Sequence, residues 1–129
     1  MQYMVQIASK ASTWEADMAG YSEADTEALF AFMAELNEEL QRNGELVDAR
    51  GLGGPGAATT VQATDGGEPR VSEGLDAGRE EILAGYWVIE VSSHERAVEI
   101  AHRLSTCPGV GGKPSNEPVE LHALPVEPA

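Results

Sequence analysis

The chain has 129 residues, 42% of them hydrophobic, and its 22 acidic side chains against 8 basic ones give a formal charge of −14 at pH 7. Such a charge repels phosphate backbones and anionic bilayers and excludes roles on nucleic acid or a membrane surface, which need clustered basic side chains. One domain is expected, because folding at this length buries about two-thirds of the surface the unfolded chain exposes, enough for a core without metal or disulfide staples.

The longest apolar run, Ala28 to Ala34, is far short of the roughly 20 residues a membrane span requires. Met1 to Val5 carries neither a basic region nor an apolar leader, so a cytoplasmic location is expected. Cys107 is the sole cysteine and is read as a structural thiol, without the spacing of a redox or metal motif.

Tyr3, Val5 and Ile7 alternate with Met4, Gln6 and Ala8, which predicts a first strand. A polar stretch holding Trp14 follows. Ser22 stands three residues before Asp25, as in a capping box, and Leu29, Phe32, Met33, Leu36 and Leu40 recur at helical spacing up to Asn43-Gly44. A second strand is predicted over 46–50, then a glycine-rich loop, then a hairpin of 58–63 with 68–72 about Asp65-Gly66-Gly67. The acidic segment from Glu73 to Gly85 is given one helical turn around Arg79 to Leu83. Residues 86–91 form the strongest strand by propensity and are placed centrally. Ser92 or Ser93 caps a helix whose buried stripe is Ala97, Ile100, Ala101 and Leu104, and Val119, Leu121 and Ala123 define a closing strand.

This order predicts an α+β fold of the ferredoxin-like split β-α-β kind with an inserted hairpin, one domain over 1–124 and a tail at 125–129. Two helices cover one face of such a sheet and leave the other bare, so a homodimer through the open face is expected.

Gly51, Gly53 and Gly56 satisfy GxGxxG, but a β-prone segment follows where a dinucleotide site needs a helix, so the motif reads as a turn. His94 and His102 are about 12 Å apart along one helix, too far to share a zinc ion, and no metal or cofactor is expected. The adjacent pairs Glu38-Glu39 and Glu80-Glu81 point apart, and no serine has an activating context. His122 alternates with apolar neighbours on a strand. It is either an edge histidine or a proton-transfer group facing a cleft.

Met1-Gln2-Tyr3-Met4, Asn43-Gly44, Leu46-Val47-Asp48, Gly51-Leu52, Ala58-Thr59-Thr60-Val61, Gly85-Tyr86, Ala97, Ala101, Cys107-Pro108-Gly109 and Val119-Glu120 together resemble the YCII-related family, in its DGPF-domain branch. Glu73-Gly74-Leu75-Asp76 stands where that branch carries Asp-Gly-Pro-Phe, Arg79 is the nearest match to its lysine, and His122 replaces an arginine. The histidine that some relatives carry in the first helix is absent here. The resemblance implies a dimeric α+β barrel, a pocket between sheet and helices, and a gene neighbourhood shared with sigma factors.

Two functional readings follow. The first is a homodimer that binds a small molecule or a protein partner such as a sigma factor, in regulation or stress, with Arg50, Arg79 and Tyr86 as ligand contacts. The second is a cofactor-independent lyase or isomerase acting on a small anionic metabolite, with Glu73 or Asp76 as base, His122 as acid and Arg50 or Arg79 holding the anion.

Overall fold

Strand β1, Gln2–Lys10, turns Tyr3, Val5 and Ile7 toward the core and Met4, Gln6 and Ala8 the other way, as the period-2 pattern requires. A computed structural model describes residues 1–75 and 78–125. After β1 come a 3₁₀ turn at Ala11–Thr13 and a short helix α1, Trp14–Ala19, which apolar periodicity does not announce. Helix α2, Glu23–Arg42, has both halves of the predicted capping box: Asp25 N donates to Ser22 Oγ at 3.0 Å, and Ser22 N donates to Asp25 Oδ2 at 3.1 Å. It ends at Asn43, and Gly44 has a φ of 72°, the left-handed region that glycine enters without steric cost.

Strand β2, Leu46–Gly51, leads through the glycine-rich loop into the hairpin of β3, Thr59–Gln62, and β4, Arg70–Glu73, which forms its own two-stranded sheet. Strand β5 spans Glu81–Glu90. The helical turn expected around Arg79 to Leu83 is therefore replaced by the start of this strand. A lone helical turn is costly to nucleate, whereas pairing with β1 satisfies the backbone here and buries Ile82. Helix α3, His94–Ser105, is capped by Ser93, whose Oγ accepts from Arg96 N at 3.1 Å. Strand β6, Val119–Ala123, closes the sheet.

The main sheet has the order β2-β5-β1-β6, each neighbouring pair antiparallel, so β5 lies in the interior as its composition predicted. The fold is α+β, and the sheet is open, with β2 and β6 as edges. Among the described residues the sheet does not close into a barrel, because these edges lie on opposite sides of the central pair.

Helices α2 and α3 supply Leu36, Leu40, Ile100 and Leu104 to the core, where they meet Val5 and Ile89. Burying each of these side chains contributes about 1.5–3 kcal/mol. The Trp87 indole nitrogen, deep against α2, donates to Asn37 Oδ1 at 2.7 Å. Arg103 of α3 also pairs with Glu39 of α2. Helices α2 and α3 both pack on the side of Val5, Trp87 and Ile89, and among the described residues no helix joins a buried cluster on the opposite face of the sheet. No helix among the described residues is long and apolar enough to cross a membrane.

Candidate functional site

The helix-free face is organised by strand register. Residues directly opposed in antiparallel strands share a face, and the register aligns two transverse rows. One row runs Arg50, Tyr86, Gln6, Glu120, and the other runs Asp48, Val88, Met4, His122. The four inner positions are half-buried and stand outside the core cluster, and the charged groups lie on the edge strands β2 and β6.

On β2, Asp48 gathers two of the predicted ligand contacts. Its Oδ1 is 3.6 Å from Arg50 Nε and accepts from Ala49 N at 2.9 Å, and its Oδ2 accepts a long bond from the Tyr86 hydroxyl at 3.4 Å. Arg50 and Tyr86 are thus brought together by a carboxylate not singled out as a site residue. The β2 bulge between Leu46 and Asp48 hides it, because counting by twos from Leu46 assigns Asp48 and Arg50 to the core side, whereas the extra residue turns both to the opposite face.

His122 lies on the opposite edge, three strand intervals from β2, or about 14 Å at roughly 4.8 Å per interval. It is exposed, and its Nε2 sits 2.9 Å from Glu120 Oε1. Glu73 is exposed at the end of β4, opposite Thr59, in the other sheet. Asp76 lies outside the described residues. Glu73 and His122, assigned as base and acid in the enzymatic reading, therefore stand in different sheets.

Arg79 borders a depression of about 200 Å³ lined by Leu52, Pro55, Ala58, Ile82 and Leu83. Its Nε donates to Glu81 O at 3.2 Å, which anchors the base of the guanidinium at the rim. The floor depends on a β5 bulge at Ala84: Gly85 pairs with Ile7 but Leu83 with Ala8, so the register skips a residue and Leu83 turns to the helix-free face. Gly54 completes the wall at a φ of 88°, where an added Cβ would lie 2.4 Å from Trp14 Nε1. Beyond the GxGxxG glycines come a 3₁₀ turn at Pro55–Ala57 and then β3, with no helix N-terminus to receive a pyrophosphate.

A second, wider hollow of about 440 Å³ is bordered by Asn43, Glu45, Glu90, Ser92 and Arg96. Its arginine is already committed, with Glu45 accepting from Nε and Nη2 and Glu99 from Nη1. These bonds hold the Glu45 carboxyl below its ordinary range and raise the Arg96 guanidinium above its own. That hollow is a structural junction. Cys107 is half-buried, its Sγ 3.4 Å from Ser115 Oγ. The described residues contain no group of three or more histidine, cysteine, aspartate or glutamate side chains arranged to hold a metal ion.

A search of curated proteins found no match to the chain. The sequence profile of the YCII-related domain matches residues 1–110, most of the chain and every element from β1 to α3, and the chain therefore belongs to the YCII-related domain family.

Proposed function

We propose that this YCII-related chain is a homodimeric binding domain for a small carboxylate, built on a ferredoxin-like sheet of the DGPF type. Two copies meet through their helix-free faces as a dimeric α+β barrel, and each takes a ligand in the depression beside Arg79. The observation that carries the binding reading is the pairing of one guanidinium with an apolar wall in a concave site. Small-molecule sites generally combine an apolar lining with a few placed polar groups. In a chain with a formal charge of −14, an arginine at such a rim selects an anion against a repulsive background. The modest volume favours a ligand of a few heavy atoms. Half-buried Met4, Gln6, Tyr86 and Val88, standing outside the core cluster, support the dimer.

Light scattering at micromolar concentration is expected to give about twice the chain mass of 13.7 kDa. Titration with short aliphatic carboxylates, followed by amide chemical shifts, is expected to move Gly53, Ala57 and Leu83, with Arg79→Gln abolishing the response. A monomeric protein would end the dimer reading, and amides unmoved by millimolar carboxylate would end the binding one.

A further inference from the structure

The two rows of the helix-free face carry a charge pattern that selects one mode of association. Arg50 is the only lysine or arginine in either row, and Glu120 occupies the far end of the same row. Within one chain the two stand on opposite sheet edges, about 14 Å apart across three strand intervals, and cannot pair.

Resting on the homodimer reading, we propose that the second copy docks with its edges exchanged, so that Arg50 of each chain pairs with the partner's Glu120. A two-fold axis parallel to the strands, between the stacked sheets and midway between β5 and β1, lays each β2 over the partner's β6. Every position in a row then faces the row's mirror position. Arg50 meets the partner's Glu120, Tyr86 the partner's Gln6, Val88 the partner's Met4, and Asp48 the partner's His122. The apolar and amide side chains fall at the centre and the ionic ones at the rim, the usual anatomy of a protein interface.

The competing two-fold, perpendicular to the strands, places β6 over the partner's β6 and Arg50 over the partner's Asp48. Own-chain contacts do not separate the two axes, since Arg50 is engaged with Asp48 and Glu120 with His122 in either case, and this axis sets each Glu120 over the partner's His122. Both Glu120 carboxylates would then crowd one edge without an arginine. Like charges brought together at an interface weaken it, so the edge-exchanging axis is favoured. It also assembles a composite site in which Arg50, Asp48 and Tyr86 of one chain adjoin the partner's Glu120 and His122.

A charge swap tests this arrangement, with the dimer dissociation constant measured by sedimentation. Arg50→Glu and Glu120→Arg are each expected to raise that constant by at least about tenfold. The double variant is expected to return it to within about threefold of the starting value. Under the competing axis the double variant stays weak, because two carboxylates oppose each other at Arg50→Glu, and that result overturns the proposal. Should a swapped chain fail to fold, as judged by circular dichroism, Arg50→Gln and Glu120→Gln serve instead. Their combined effect is expected to be smaller than the product of the single effects, and independent effects overturn the proposal equally. A parent protein that is already monomeric sinks the homodimer reading itself, whereas a dimer indifferent to these charges sinks only the edge-exchanged docking.

Discussion

Arg96 grips both carboxylate oxygens of Glu45, its Nε and Nη2 each donating over 2.8 Å, and so ties α3 to the segment that joins α2 to β2. Only 26% and 14% of the two side chains are exposed, so solvent screens the pair less than a surface bridge. Removing the fork with Arg96→Met is expected to cost about 2 kcal/mol at neutral pH, measured by urea denaturation, since hydrogen bonds between charged groups are the stronger kind.

The same pair predicts a pH dependence. The Arg96 hydrogen bonds hold the folded Glu45 carboxyl below its ordinary 4.5, outweighing the opposing effect of burial. Its contribution is fully present above the unfolded value and is lost as pH falls through the folded one. The stability gap between the parent protein and Arg96→Met is therefore expected to narrow in denaturation curves taken at progressively lower pH below 4.5. A gap constant down to acid unfolding would contradict the assignment.

Asn37→Ala is expected to destabilise the protein by about 1–3 kcal/mol, because it leaves the Trp87 indole N–H buried without its acceptor. Thermal melts followed by tryptophan fluorescence report the loss. Asn37→Asp, which keeps an acceptor in place, is expected to recover part of it.

Gly54→Ala is expected to lower stability by more than about 1 kcal/mol, since alanine is strained at positive φ and its Cβ would collide with Trp14. Gly56→Ala is the control. No atom lies within 4 Å of the Cβ it adds, and its melting temperature is expected to stay near that of the parent.

At the N-terminus of α2, Ser22→Ala removes the oxygen that accepts from Asp25 N and is expected to cost about 1 kcal/mol in denaturant melts. The Asp25 carboxyl, held low chiefly by its bond from the Ser22 backbone N–H, is expected to titrate closer to its ordinary value in Ser22→Pro, as read by side-chain NMR.

Much of the fold is legible in short stretches of sequence. The stripe of α2 with its Ser22 cap, the four buried positions of α3 and the alternation of β1 each depend on neighbours within a turn or a pleat. Those interactions survive in an isolated segment, so the residue pattern determines them. Helix α1 is too short to show a period, and Ile82 and Leu83 near the start of β5 are apolar but hold their strand only by pairing with β1.

The candidate sites are a different matter. Arg50 and Tyr86 are distant in sequence, and their shared partner Asp48 is placed beside them by a bulge and by the pairing of β2 with β5. A second bulge turns Leu83 toward the helix-free face, although counting from Trp87 by twos assigns it to the core side. One inserted residue reverses a strand's facing, so local periodicity cannot say which side chains will share a surface. Composition and spacing by themselves determined an acidic α+β chain with two amphipathic helices on one side of a sheet. Strand order and register, which are non-local, decided that Arg50 and Glu120 end one row on opposite edges, too far apart to meet within one chain.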